Sequence, residues 1–430
     1  METTGILTLP KKLRAIRKAH KMSQVKIARV MGIGPTTVEY YENARNPVSK
    51  FVLTAFKRGL QMEDVPFTDE EMVVFKKDVL YSWNNMLNIG DTDKAVELQP
   101  RMAYCVEWSY NADLQTLYEL FSIKYYCVVG NKEECAKIVE SLREREYTFT
   151  QEQRYWYYRY LGAIEHMQWR YKSAVTLYLK AEEIGNNFNL NDNTHYYNIG
   201  SCLANMGFYN LAIEYLEKIQ AKAIDLFGIW CGVNAQKLLA MCNSKLGRTS
   251  RSLEFLEKYL EYLLSERSND TPKIGGAYLD IGWIYQDARN YEKALEYYDI
   301  AYQYNNEEDR EAYLSYLCNR ALFLRSYGKI NGVAECLVKG LPLAKKGTLW
   351  YEWLHALEHS LAWDKQPSID YVEWTSIPKF HEYGCHALAM EFYALLSNHC
   401  EEDNRYKPAL KYQRMSAKIY KRLIEGDFSL

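Results

Sequence analysis

A pattern that returns about every 39 residues constrains this chain more than any other feature of its sequence. Its clearest copy reads Tyr278, Ile281-Gly282, Tyr285, Tyr291, Ala294, Tyr298 and Ala301. A second has Tyr158, Leu161-Gly162, Ala174, Tyr178 and Ala181, and a third has Tyr196, Ile199-Gly200, Gly207, Tyr209 and Ala212. Weaker copies centre the glycine position on Trp83, Ile123, Ala240, Ala321 and Ser397. The centres at 83, 123, 162, 200, 240, 282 and 321 are 38 to 42 residues apart, and the last interval, 76 to position 397, is twice 38. A degenerate copy therefore occupies the stretch around Tyr351 to Trp374, giving about nine copies. From about Thr68 onward there is no strand alternation and no Pro/Gly-rich linker. Each copy reads as two helices, with small residues letting the pair approach closely and aromatics filling the gaps between copies. That placement accounts for the 38 tyrosines without any cofactor.

These copies resemble the tetratricopeptide repeat, with an aromatic at its fourth position, Leu-Gly at seven and eight, and Ala, aromatic, Ala at 20, 24 and 27. The resemblance implies a right-handed superhelix whose concave wall, lined by the first helix of each pair, grips an extended peptide. Candidate peptide-binding residues on those helices are Arg159, His166, Asn198, Asn205, Asn234, Lys237, Gln286, Asn319 and Arg325. Tyr197 and Asp280 lie at neighbouring positions. An asparagine amide can pair with both the N–H and the C=O of an extended ligand, which grips backbone without reading sequence. The alternative for each is a surface polar residue, or one that satisfies a neighbouring helix end.

The first sixty residues are of another kind. They carry twelve Lys/Arg against Glu2, Glu39 and Glu42, a net +9, whereas the remainder carries 41 basic and 52 acidic residues, a net −11. A basic head on an acidic body suits a polyanion-binding module attached to something else, the alternative being a solvated basic face. Leu9, Leu13 and Ile16 predict a first helix from about Leu9 to His20. Ser23 is a good N-cap for a second, running to about Met31, and Gly32 permits the sharp turn that follows. A third begins near Pro35 and turns Val38 and Tyr41 inward. Asn46-Pro47 breaks the pattern, and Val48 to Leu60 reads as one or two further short helices.

Ala28 at the helix crossing, Gly32 four residues later and Val38 six further on, with Gln24 opening the second helix, resemble the helix-turn-helix of the lambda-repressor-like (Cro/C1, XRE) family. Where that family usually has Glu-Asn-Gly, this chain has Glu42-Asn43-Ala44. The resemblance implies that Gln24 touches the phosphate backbone, and that Arg17 pairs with Glu42. Pro35, Thr36, Thr37, Glu39 and Tyr40 would lie in or beside the major groove. Arg45, Lys50 and Lys12 read as phosphate contacts. For Glu39 and Tyr40 the alternative is a surface residue that touches no base.

The expected fold is therefore all-α: a helix-turn-helix domain over residues 1–66 and a repeat domain for peptide binding and dimerisation over 67–430. This order of domains resembles the RRNPP group of peptide-pheromone receptors of Gram-positive bacteria and their mobile elements. The resemblance implies a cytoplasmic homodimer that binds a double-stranded DNA operator and is switched by a short imported signalling peptide. Relatives without the head act on response regulators as phosphatases or sequestering partners, which is the alternative function. No cofactor and no conventional catalytic centre is expected, since phosphate-loop, GxSxG and metal-ligand spacings are missing. His381 and His386 are five apart, whereas a helical metal pair wants four. No apolar run approaches the ~20 residues of a membrane span. None of the ten cysteines forms a CxxC pair, which favours buried, reduced thiols.

Overall fold

The computed structural model describes residues 7–89, 91–188, 190–219, 226–265, 271–304 and 309–425, and among these every regular element is helical. The chain divides into two compact units, Met1–Tyr160 and Leu161–Leu430.

The first unit opens with four helices, α1 (Leu9–Ala19), α2 (Gln24–Met31), α3 (Pro35–Glu42) and α4 (Lys50–Leu60). Leu13, Ile16, Ile27, Ala28, Met31, Val38, Val52, Leu53 and Phe56 are buried and form the core of this head. The local chemistry places the ends. Ser23 Oγ accepts the Lys26 N–H at 3.1 Å, and Gly32 leaves α2 with φ 69°. Val48 to Leu60 holds a single helix, α4, because the Ser49 hydroxyl caps it by accepting from Val52 N at 3.3 Å. The packing on α4 continues just past residue 66. Phe67 is buried, meets the Phe56 ring edge-on at 6.4 Å, and lies under the Lys57 ammonium at 5.2 Å.

Next comes α5 (Asp69–Val74), which runs through a π-helical turn, Phe75–Leu80, into α6 (Tyr81–Ile89). Thr68 and Glu71 cap α5 reciprocally, and Glu71 also accepts from Lys57 Nζ at 2.6 Å, tying α4 to α5. The pairs α6 with α7 (Thr92–Ser109) and α8 (Ala112–Val128) with α9 (Lys132–Arg145) follow, the latter ending in a 3₁₀ turn, Glu146–Thr148. Trp83, at a centre of the sequence pattern, is buried and donates its indole N–H to the Ala95 carbonyl at 2.9 Å.

The division between units falls within α10 (Gln151–Met167), the partner of α11 (Tyr171–Phe188). Then come α12 (Asn193–Met206) with α13 (Tyr209–Glu217), α14 (Leu226–Lys245) with α15 (Thr249–Ser265), and α16 (Thr271–Asp287) with α17 (Tyr291–Tyr304). They are followed by α18 (Arg310–Ser326) with α19 (Ile330–Gly340). The degenerate copy is α20 (Leu349–Ser360), paired with α21 (Gln366–Tyr371) and α22 (Ile377–Glu382), which a π-helical turn, Val372–Ser376, joins. α23 (His386–Glu402) and α24 (Tyr406–Glu425) complete nine pairs among the described residues.

The small centres have a direct packing reason. A Cβ placed on Gly162 would stand 2.9 Å from the Tyr178 ring, and one on Gly282 would stand 3.2 Å from Tyr298. Tyr178 and Tyr298 are fully buried in turn, between Ala174 and Ala181 in one copy and Ala294 and Ala301 in the other. In these two copies the second helix drives an aromatic ring against the backbone of its first helix, and at Gly200 the side chain of Leu216 does the same.

Candidate functional site

The outer face of α3 is the first candidate site. Pro35 starts the helix, and Pro35, Thr36, Glu39 and Tyr40 are exposed while Thr37 is half-buried. The Arg45 guanidinium lies 5.7 Å from the centre of the Tyr40 ring, so a cation sits at the edge of this face. Lys50 is exposed in the first turn of α4, where the unpaired backbone N–H groups and a lysine together favour an anion.

Behind this face a charged network fixes the angle of α3. Arg17 Nε donates to Glu42 Oε1 at 2.5 Å, its Nη2 to Oε2 at 2.8 Å, and its Nη1 to the Met22 carbonyl at 2.7 Å. Gln24 Nε2 donates to the same carboxylate at 3.1 Å. The amide thus buttresses the network from the first position of α2 (Gln24–Met31). Burial alone would push the Glu42 carboxyl up, but the hydrogen bonds from Arg17 and Gln24 hold it below the ordinary carboxylate value. The Arg17–Glu42 pairing that the family resemblance implies is present.

Lys12 is a correction. It is buried, 3% exposed, and burial depresses its pKa against the opposing pull of the Asp69 charge. It supports the head from inside and offers no ammonium to a phosphate.

The second candidate site follows the first helices of the repeats. In the first unit Arg159 is buried, stacks 4.8 Å over the Trp156 ring, and donates to Tyr155 Oη at 3.0 Å. In the second unit His166 is half-buried against the Tyr171 ring, 5.6 Å away. Asn198, Asn205 and Asn234 are half-buried on α12 and α14, and Asn205 donates back to the Ser201 carbonyl at 2.9 Å. Asn319 is buried and makes the same bond to the Ser315 carbonyl at 2.8 Å. Gln286 Oε1 accepts from Tyr298 Oη at 2.8 Å. Arg325 donates to the Ser360 hydroxyl and carbonyl, both at 3.1 Å, with its guanidinium 4.9 Å over Trp363. Gln286 and Arg325 therefore also serve to stitch helices together, whereas Asn205 and Asn319 bond within their own helices.

Lys237 and its surroundings form a charged ladder that the sequence reading found only in part. Lys237 Nζ lies 3.0 Å from Asp280. Two turns further along the same two helices, Lys245 Nζ lies 2.9 Å from Asp287, which also accepts from Ser244 Oγ at 2.8 Å. Glu391 of α23 approaches Lys245 at 3.9 Å. Desolvation works against both ammonium groups, yet Asp280 and Asp287 hold their pKa values above the ordinary lysine value. The signal was available: Lys237 and Ser244-Lys245 stand against Asp280 and Asp287 one repeat later, both seven or eight apart.

Comparison with known proteins agrees with this division of labour. Residues 13–61 match the helix-turn-helix family. The chain is 19% identical over 357 residues, 80% of its own length and 87% of the relative's, to the transcriptional activator NprA of Geobacillus stearothermophilus. Its fold is similar to that of NprR in complex with its cognate peptide NprX, with a TM-score of 0.67 and 18% identity, covering 79% of this chain and 98% of that one. The chain thus shares the fold of that structure. It is also similar to a Rap protein complexed with competence and sporulation factor, with a TM-score of 0.69 and 16% identity over 83% of this chain and 99% of that one. The chain thus combines a head matched to the helix-turn-helix family with a body of helix pairs, and among the described residues no helix is long and apolar enough to cross a membrane.

Proposed function

We propose that this chain is a transcription regulator whose operator binding is switched by a short signalling peptide held on the first helices of the repeats. The observation that carries the reading is the matched head, with Pro35, Thr36, Glu39 and Tyr40 exposed on one helix face, joined to a body similar in fold to a peptide-bound regulator. Thr36 and Thr37 methyls would meet thymine methyls, Glu39 would accept from a cytosine amino group, and Arg45 and Lys50 would hold phosphates. Asn198, Asn205, Asn234, Lys237, Gln286 and Asn319 would face the peptide backbone, with Arg159, His166 or Arg325 toward its charged groups. The ligand would re-pair the Lys237–Asp280 and Lys245–Asp287 ladder rather than fill an empty site. The working form is a cytoplasmic homodimer, with residues 1–66 as head and 67–430 as receptor.

The test is operator binding by the full chain at several salt concentrations. Tyr40→Ala should weaken specific binding by ~1–3 kcal/mol while leaving non-specific binding little changed. Lys50→Ala should weaken all sequences alike and lower the salt slope by about one. Wild-type affinity in both variants would remove α3 and the start of α4 from the interface. The alternative function is read from the same preparation: dephosphorylation of a response regulator, with no salt-dependent DNA binding, would favour it.

A further inference from the structure

The hairpin of α8 and α9 brings together two thiols that no part of the proposed switch uses. Cys127 lies in the last turn of α8 and Cys135 in the first turns of α9, and their sulfurs are 3.7 Å apart. Cys127 is half-exposed, whereas the other nine cysteines, Cys135 among them, are buried. We propose that Cys127 and Cys135 are a reversible dithiol–disulfide couple, a modification site oxidised by low-molecular-weight disulfides.

Three features of the hairpin support this chemistry. First, the segment between the thiols is a short exposed turn through Val129, Gly130 and Asn131, with Gly130 at φ 76°. A disulfide needs the sulfurs to close by about 1.7 Å, and an exposed turn can give that much without unpacking a core. Second, Cys135 lies in the first turns of α9, the end of a helix whose dipole favours negative charge. The hydrogen bond from Cys127 lowers the Cys135 pKa and raises that of Cys127, so Cys135 is the sulfur that more readily carries the charge. Third, Lys124 stands one turn before Cys127 on α8, and its positive charge opposes the rise in the Cys127 pKa.

The reaction balances as two thiol–disulfide exchanges. The pair first releases one proton to solvent, leaving Cys135 as thiolate; the Cys127 proton then moves to Cys135, and Cys127 as thiolate attacks one sulfur of glutathione disulfide. That S–S bond breaks, and the glutathione thiolate leaves and takes the proton released to solvent. Cys135 then gives up its proton and attacks Cys127 Sγ, expelling the second glutathione, which takes that proton. Two protein thiols are oxidised to one disulfide, and one glutathione disulfide is reduced to two thiols. Cys127 is the entry point because it alone is reachable, and Cys135 resolves the adduct.

The experiment equilibrates the full chain in glutathione buffers of rising disulfide fraction, quenches with acid, unfolds, alkylates and weighs it. The reduced chain should take ten labels, one for each cysteine. The oxidised chain should take two fewer, and dithiothreitol should restore them. Trypsin cuts after Lys124, Lys132 and Lys137, so the link should appear as one species joining peptides 125–132 and 133–137. Cys127→Ser and Cys135→Ser should each abolish that species. A wild type that keeps all ten labels in every buffer would overturn the proposal. So would a stable glutathione adduct on Cys127 with Cys135 free, or a two-label loss that survives in the single-serine variants.

Discussion

Ala44 sits at φ 56°, in the left-handed region where an L side chain crowds the following carbonyl. The turn needs that conformation: Arg45 N–H returns to the Tyr40 carbonyl at 2.9 Å and Ala44 N–H to Tyr41 at 3.1 Å, closing the end of α3. The methyl group therefore carries a strain of ~1 kcal/mol that glycine would not. Ala44→Gly should raise the melting temperature of the head without altering operator affinity, and a lowered one would show that the turn is not strained. The network behind α3 predicts the opposite direction. Arg17 and Glu42 are both nearly closed to solvent, so Arg17→Met leaves a buried carboxylate with Gln24 as its remaining donor. Breaking a buried pair in this way costs ~3–5 kcal/mol. Thermal melts should show a much less stable head, and an unchanged melting temperature would mean that the pair is dispensable. Because the folded pKa of Glu42 lies below its unfolded value, the stability it contributes is present above the ordinary carboxylate pKa. It is lost as the pH falls through the lower, folded value.

The helix pairs are the level at which the sequence was most legible. Small residues at 162, 200 and 282 and rings at 178 and 298 report a close approach of two backbones, and a single sequence shows that because the contact is local. The charged ladder was less legible. Lys237 and Asp280 are one repeat apart, and only the register of the stack reveals that they touch. Lys12 was misread because a lysine beside Lys11 on a basic helix gives no sign of its burial, and the charge that faces it, Asp69, lies on a later helix. The junction of α22 and α23 is another such case. His381 and His386 face each other with their Nδ1 atoms 2.8 Å apart, so one ring donates and the other accepts. His386 is 1% exposed, and its Nε2 has no hydrogen-bond partner among the described residues. Burial, then the charges of His381 and of Lys172 on α11, push its pKa down to about 4. An unfolded histidine titrates near 6.5, so the unfolded chain takes up a proton that the folded one refuses. Stability is whole above that value and is lost as the pH falls toward 4, by ~3 kcal/mol over the full window. Hydrogen-exchange protection factors in α22 and α23, corrected for the intrinsic pH dependence of exchange, should fall between about pH 7 and pH 5, within that window, and His386→Gln should flatten the dependence. A pH-independent protection pattern in the wild type would count against the pair.

At the scale of the whole molecule, the proposed switch depends on two heads meeting one duplex. A head with a net charge of +9 can bind DNA alone through phosphates, but that attraction carries no sequence information. Specificity in a dimer comes from two recognition helices entering successive major grooves, whose half-sites lie about 34–36 Å apart or at multiples of that distance. The operator should therefore contain two related half-sites. Inserting about five base pairs between them turns one groove to the opposite side of the duplex and should abolish specific binding. Inserting about ten restores the face and should recover part of the affinity. If peptide acts by changing the separation of the heads, saturating peptide should alter the preferred spacing and leave the salt slope at non-specific sites unchanged. A change of population from 1:99 to 99:1 requires a differential affinity of ~5.5 kcal/mol for the two forms. Calorimetry with peptide on the wild type and on Asn198→Ala with Asn234→Ala measures how much of that passes through the first helices. Equal affinity for every half-site spacing would refute the dimeric reading. Peptide binding that shifts neither spacing preference nor operator affinity would separate the receptor from the head.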